Sequence, residues 1–383
     1  MRKVAVIGLG QTRFGQLWER GLTSLSVEAG VKAVRDAGIS QKDVEVLYGG
    51  TMSGGLFANQ EHLASKIPDY SGFKNIPSVR VEAACASGGL ALRQAYLDIA
   101  SGEHDIAVAG GVEKMTDLGN YSVTKVLATA ADTDSEGIFG ATFPGLYAMM
   151  AKLHMHKYGT TEEQMAAVAV KNHKNAMTNK YAQFRKEITV RDVMESTLIS
   201  DPIKLLDASP ITDGGAAVVL ASEEKARELS DTPVWIAGSG HATDSISLHD
   251  REDILTLKAT VEAAKKAYEQ AKLTPEDIQV AEVHDCFTIA ELLALEDLGF
   301  VEKGSSGRFT EEGQTMVGGK IPVNTSGGLK AKGHPVGATG IAQAIEAVKQ
   351  LRGEAGNSTG AEIALTHNVG GSGGTAVVHI FRR

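Results

Sequence analysis

Residues 26–50 and 260–284 of this 383-residue chain share eight identities without a gap, and this internal repeat constrains the fold more than any other feature. Val27-Glu28-Ala29 matches Val261-Glu262-Ala263, and Lys32, Ala33, Ala37, Asp43 and Val46 match Lys266, Ala267, Ala271, Asp277 and Val280. The correspondence continues downstream. A Gly/Ala-rich helical stretch from Gly89 to Gly102 precedes the strand-like Asp105–Ala109, and a similar stretch from Gly340 to Gly353 precedes Glu362–Thr366. Apolar strand-like runs alternating with helical periodicity point to α/β layers, so the expected fold is α/β with two homologous halves. The chain starts on a strand-like run, Val4-Ala5-Val6-Ile7-Gly8, and a helix is expected over Leu22–Ala37, stopped by Gly38. Buried strands are expected at Val44–Tyr48, Val79–Ala83, Ile106–Ala109, Val234–Ala237, Val280–Val283, Ile363–Thr366 and Ala376–Ile380.

Met115–Pro210 has no counterpart after the second repeat. Two helical patterns lie in it, Met149–Tyr158 and Thr161–Tyr181. It reads as an inserted excursion over a ligand site or as a plain connector. The expected division is residues 1–114 with 211–231 as one half, 115–210 as the insertion, and 232–383 as the other half.

Composition narrows the function. With 38 Lys and Arg against 47 Asp and Glu the net charge is −9, which disfavours a nucleic-acid partner. Two cysteines form neither a disulfide framework nor a structural zinc ribbon, and they fit a reducing compartment. No tract is long and apolar enough to span a bilayer. No leader pattern precedes the first strand, and Ile380-Phe381-Arg382-Arg383 is not a peroxisomal or retention signal, so the expected location is the cytoplasm. Gly8-Leu9-Gly10 follows the first strand, but the next glycine is Gly15, which fails the dinucleotide fingerprint.

Four segments could carry chemistry. Cys85 stands between a strand and a helix, where the helix N-terminus would favour the thiolate. His334 projects from Gly333-His334-Pro335, just before the second buried helix, and a histidine facing a cysteine makes a nucleophile–base pair. His284-Asp285-Cys286-Phe287 ends a strand and holds the other cysteine, with no accompanying metal-ligand spacing. His367-Asn368-Val369-Gly370-Gly371 closes the last repeat with a turn able to offer N–H groups to an oxyanion. Lys171, Lys174, Lys180 and Arg185 form either a phosphate-binding patch or a solvated helix face.

Taken together, Ala84-Cys85-Ala86-Ser87-Gly88-Gly89, His284-Asp285-Cys286-Phe287, Gly333-His334-Pro335-Val336-Gly337-Ala338-Thr339-Gly340 and His367-Asn368-Val369-Gly370-Gly371 resemble the thiolase superfamily in order and spacing over nearly the whole chain. Many thiolases place a second catalytic cysteine where this chain has Asn368. The departure resembles the sterol-carrier-type and archaeal thiolases, in which the His-Asp-Cys-Phe cysteine, here Cys286, takes that role. The resemblance implies a layered αβαβα architecture, and because the sequence closes on the last thiolase strand no appended sterol-carrier domain is expected. It also implies acetyl-CoA C-acetyltransferase activity, joining two acetyl-CoA into acetoacetyl-CoA and CoA without a cofactor or metal. In the roles it implies, Cys85 is the nucleophile, His334 the base and Cys286 the second acid–base. His284 and His334 would hold an enolate, the backbones of Cys85 and Gly370 an oxyanion, and Phe287 would line the substrate pocket. The same resemblance implies a homodimer or homotetramer, a place in the mevalonate route to isoprenoids, and association with hydroxymethylglutaryl-CoA synthase through a small zinc-containing bridging protein. Alternatives are a thiolase for longer acyl-CoA, a decarboxylating ketosynthase or hydroxymethylglutaryl-CoA synthase activity, and a non-catalytic scaffold or lipid carrier.

Overall fold

A computed structural model describes residues 2–383. The first half comprises β1 (Val4–Gln11), α1 (Leu22–Asp36), β2 (Val46–Gly50), β3 (Ser78–Val81), α2 (Ser87–Ser101), β4 (Ile106–Glu113) and β5 (Gly214–Ser222). The second comprises β6 (Val234–Thr243), α3 (Lys258–Ala271), β7 (Val280–Glu282), α4 (Thr339–Arg352), β8 (Ile363–Gly370) and β9 (Thr375–Arg382). The nine strands run in the order β3-β2-β4-β5-β1-β6-β9-β8-β7. This order is a mirror about the β1–β6 junction, where only Ala5 with Trp235 and Val6 with Val234 pair, antiparallel. Val323 bridges Ala281 in parallel and stands where β3 stands in the first half.

The repeat in sequence is therefore a repeat in space. Leu25, Ala29 and Ala33 of α1 pack on the outer face of the first half against Ala5, Ile7, Val108 and Val219. On the far side Ala263 and Ala267 of α3 pack with Val378 and Ile380. Between the sheet halves Leu92, Tyr96 and Ile99 of α2 meet Ile341, Ile345 and Val348 of α4, with Val6 and Val218 on one side and Val234 and Val280 on the other. This is the five-layer αβαβα order. Its apolar central pair of helices is buried from both sides, which explains why their sequences carry so little polarity.

The glycine pair of the first strand has a packing role. A Cβ on Gly10 would stand 2.0 Å from Ala29 O, and one on Gly240 would stand 1.8 Å from Ala263 O. Each half needs a bare backbone there so that its outer helix can press onto the sheet. Gly8 and Gly238 repeat the arrangement one turn along, at 2.3 Å from Ala33 O and 2.2 Å from Ala267 O.

In the large sheet, strand positions match the expectations to within a few residues except for β5, which is buried throughout beside β1 and β4, and a short unexpected hairpin pairs Leu198–Ser200 with Ile203–Lys204. The Asp213-Gly214-Gly215 start of β5 reads as a turn, which hides the Ala216–Leu220 run behind it. Between β4 and β5 the chain forms helices Asn120–Ala128, Phe143–Tyr158, Glu162–Ala176 and Val190–Met194. Phe143–Tyr158 begins six residues before the expected Met149, because Thr142 at its N-cap position is followed by Pro144 in the first turn. Glu162–Ala176 starts at a Thr161–Gln164 capping box and stops short of the expected Tyr181. Leu146, Met150, Met165 and Val168 of these helices pack on Ile289, Leu292 and Leu293, which belong to the helix following Cys286. The insertion thus lies over the second half, at the end that carries the cysteine.

Candidate active site

Cys85 sits in a tight turn between β3 and α2, spanning Ala84–Ala86. Ala84 has φ +49°, in the left-handed region that costs a non-glycine residue about 1–2 kcal/mol. Local hydrogen bonds hold it there. Ala83 N–H donates to Ser87 Oγ at 2.9 Å, Ser87 Oγ–H donates to Ala84 O at 2.6 Å, and Ala84 N–H donates to Glu82 Oε1 at 2.6 Å. The nucleophile candidate is thus carried on a strained, braced backbone.

His334 comes from the other half. Its N–H donates to Thr212 Oγ1 at 3.0 Å, and its Nδ1 lies 2.7 Å from Thr339 Oγ1. The following turn is tied to the first half by Glu113, which accepts N–H from Gly337 at 3.1 Å and from Met52 at 2.8 Å, and O–H from Thr51 at 2.9 Å. Burial pushes the Glu113 carboxyl up to about 7, against these hydrogen bonds.

His284 is buried, with its ring edge-on to His334 at 5.1 Å between centroids. Its Nδ1 lies 3.2 Å from Asn368 Nδ2, and its Nε2 has no protein partner. Asp285 anchors the motif, accepting Leu329 N–H at 2.7 Å, Lys330 N–H at 3.2 Å and Asn172 Nδ2–H at 2.7 Å. Cys286 is buried, and its carbonyl accepts Ser209 N–H at 2.9 Å. Phe287 packs against Tyr147, the rings tilted by 32° with 4.8 Å between centroids. The Tyr147 hydroxyl reaches the Cys286 sulfur and donates to Gly371 O at 3.1 Å.

Cys85, Cys286 and His334 meet in one cavity of about 160 Å³, with Phe143, Tyr147 and Phe287 among its walls, while His284 packs against His334 without lining it. The ligating atoms of Cys85, His284 and His334 lie within 4.8 Å of one another. Sulfur and imidazole at that spacing are also the donor set of a soft divalent ion, but ligation by His284 Nε2 would put the ring proton on Nδ1, against the Asn368 Nδ2 donor.

Burial governs the ionisation. It pushes the Cys85 thiol up to about 12, with Gly371 N–H donating to the sulfur in partial compensation, and it raises the Cys286 thiol too. It holds the His334 imidazolium down to about 3, and that of His284 well below the usual range, where the neighbouring His334 and His367 also disfavour charge. At neutral pH the site holds two thiols and two neutral imidazoles. Burial, with the nearby Glu113 and Glu82, works against the thiolate that the helix terminus would favour. Gly370 pairs with Thr375 in the β8–β9 hairpin, and Gly371 follows it beside the Cys85 sulfur. One further expectation shifts. Lys171 is not available to a phosphate, since it is buried in an ion pair with Glu291 at 2.5 Å. Tyr147, Glu113 and Thr212 are site residues outside the motifs, on other elements and without fixed spacing to either cysteine, while Thr339 lies within the Gly333–Gly340 segment but was given no role there. The capped start of Phe143–Tyr158 is the signal that would have placed Tyr147 on a helix.

Family models described as the thiolase N-terminal domain and the thiolase C-terminal domain-like region match residues 4–224 and 240–383. The chain belongs to the thiolase family. This thiolase is 58% identical to an acetyl-CoA acetyltransferase of Methanothermobacter thermautotrophicus over 385 residues, covering 100% of both chains. It is 49% identical to an acetyl-CoA acetyltransferase of Methanocaldococcus jannaschii, covering 99% of both. Among solved structures it is similar to an Ltp2-ChsH2(DUF35) aldolase, with a TM-score of 0.85 and 29% identity, covering 99% of this thiolase and 97% of that chain. Among the described residues no helix is long and apolar enough to cross a membrane.

Proposed function

We propose that this thiolase is an acetyl-CoA C-acetyltransferase that joins two acetyl-CoA molecules into acetoacetyl-CoA and CoA, reversibly, through an acetyl group on Cys85. The observation that carries the reading is the convergence of Cys85, Cys286 and His334 on one small, aromatic-walled cavity. The names of the two full-length relatives support the substrate.

The chemistry follows from neutral groups. The Thr339 hydroxyl has Pro335 O at 3.0 Å to take its own proton, so it can accept Nδ1–H and leave His334 Nε2 bare as a base. His334 takes the Cys85 proton as the sulfur attacks the first thioester carbonyl. The N–H groups of Cys85 and of the Gly370-Gly371 turn face the developing oxyanion. The C–S bond to CoA then breaks, His334 returns its proton to the CoA sulfur, and acetyl-Cys85 remains. In the second half, His334 takes the proton of Cys286, and the Cys286 thiolate removes a proton from the methyl of the second acetyl-CoA. His284 and His334 hold the enolate oxygen. The carbanion attacks acetyl-Cys85, the C–S bond breaks, and His334 returns its proton to Cys85. No net proton is gained or lost, and the small cavity suits the short acetyl group, with Phe287 and Tyr147 as its walls.

The same reading gives the coarser setting. A homodimer or homotetramer is supported by β3, which is paired on only one side and exposes Val79 at the sheet edge. A supply of acetoacetyl-CoA to hydroxymethylglutaryl-CoA synthase in the mevalonate route, with a small zinc-containing bridging protein, is what the resemblance to the archaeal thiolases implies. The test is synthesis of acetoacetyl-CoA from acetyl-CoA by the intact protein and by Cys85→Ala. Activity that disappears in the variant supports the reading, and near-normal activity in the variant ends it.

A further inference from the structure

We infer that Asn368 is a positioning residue that fixes His284 as the tautomer carrying its proton on Nε2, so that His284 serves as a hydrogen-bond donor and never as a base. The amide orientation is settled by the backbone alone. Gly89 N–H donates to Asn368 Oδ1 at 3.1 Å, and Asn368 Nδ2 donates to Cys85 O at 3.1 Å. An amide turned the other way would set donor against donor and acceptor against acceptor. The second hydrogen of Nδ2 therefore points at His284 Nδ1, 3.2 Å away, and a nitrogen that accepts a hydrogen bond carries no proton. The proton of the neutral ring is on Nε2, the atom that finds no partner in the protein.

The packing leaves the amide no freedom to turn. A Cβ on Gly340 would stand 2.3 Å from Asn368 Oδ1, and one on Gly89 would stand 2.9 Å from it. The carboxamide is wedged between the first turns of α2 and α4, with its oxygen toward both helix N-termini, where negative partial charge is favoured. An unpartnered buried N–H costs about 1–3 kcal/mol, and a substrate oxygen arriving beside His284 would satisfy it. The two imidazoles are thereby divided in role. His334, bonded to a hydroxyl that has another acceptor, is free to be a base, while His284, bonded to an amide hydrogen, is confined to donating. The geometry stands by itself, whereas the assignment of the received oxygen to an enolate rests on the acetyl-transfer reading above.

The test uses full-length protein labelled with 15N-histidine, with the His284 signals identified by their loss in His284→Asn. Wild-type protein should show His284 Nδ1 bare and Nε2 protonated. Asn368→Asp replaces the donor by an acceptor, which should move the proton to Nδ1. The rate of acetoacetyl-CoA formation relative to that of Cys85 acetylation should then fall by roughly 10²–10³-fold, the usual loss for one missing oxyanion donor. A wild-type ring protonated on Nδ1 overturns the inference, as does a proton that stays on Nε2 in Asn368→Asp. A proton that moves, leaving Nε2 bare, with no fall in that ratio leaves the lock standing and refutes the enolate-holding role of His284 instead. The wild-type spectrum decides even if a variant fails to fold.

Discussion

Asp285 sits between His284 and Cys286, and its replacement separates anchoring from chemistry. The carboxylate accepts three hydrogen bonds, from Leu329 N–H, Lys330 N–H and Asn172 Nδ2–H. Asp285→Asn keeps the shape but makes one of the two acceptor atoms an NH2, which then faces a donor. An amide oxygen in place of Oδ2 keeps the Asn172 and Lys330 bonds and opposes the NH2 to Leu329 N–H. The reverse orientation loses two bonds and keeps one. Asn172 does not compensate freely, because its Nδ2 also donates to Glu291 Oε2 at 3.0 Å. One orphaned donor costs about 1–3 kcal/mol. Burial and the neighbouring Glu291 push the Asp285 carboxyl up, so removing the charge returns part of that loss. The expected net loss for Asp285→Asn is therefore at the lower end, about 1 kcal/mol. Asp285→Ala removes both acceptor oxygens, orphans all three donors and should cost about 3 kcal/mol or more. Urea unfolding followed by circular dichroism reads both as shifts of the midpoint at unchanged slope. In each folded variant acetoacetyl-CoA synthesis should fall more than Cys85 acetylation, since the two neighbours of the lost anchor, His284 and Cys286, serve the second half-reaction. An Ala variant no less stable than the Asn variant would refute the anchoring argument.

Three other outcomes are expected. The buried His334, His367 and His379 are held down to about 3, 3 and 4, while in an unfolded chain they titrate near 6.5. The unfolded state therefore binds more protons below that value. Their contribution to stability is complete above about pH 6.5 and is lost as the pH falls, by roughly 1.4 kcal/mol per pH unit for each histidine, and pH-dependent urea titrations would show it. Gly240→Ala places a Cβ 1.8 Å from Ala263 O, so it should destabilise by about 3 kcal/mol or more or fail to fold; Gly21→Ala, where a Cβ meets nothing within 4 Å, serves as the control in the same unfolding assay. Phe287→Ala opens the wall opposite Tyr147 and should shift kcat/KM from acetyl-CoA toward longer acyl-CoA by about 10–200-fold per added methylene at most, and competition assays with butyryl-CoA read it.

The duplicated halves were legible because each repeats the same helix face on the same strand, down to Gly8 and Gly10 against Gly238 and Gly240. The motif residues were legible because each sits at a strand end or helix start, where chain direction fixes its position. Two kinds of information were not. Protonation depends on how deeply a group lies, and no local pattern shows that Cys85 is sealed in well enough for desolvation to work against its helix terminus. Contacts between distant segments, such as Glu113 with Gly337 or Lys171 with Glu291, appear only once the sheet halves and the insertion have closed on each other. Lys171 shows this best, because in sequence it is one lysine among several near the insertion and in space it is a buried counter-ion.

The most direct measurement of the central claim is mass spectrometry of Cys286→Ser after brief exposure to acetyl-CoA, with product assayed in the same sample. The account predicts an acetyl group on the peptide containing Cys85, accumulating while acetoacetyl-CoA synthesis is lost, because the first half-reaction needs only Cys85 and His334. Acetoacetyl-CoA formed at the wild-type rate, or a Cys85 peptide that never gains the acetyl group in either protein, would contradict it.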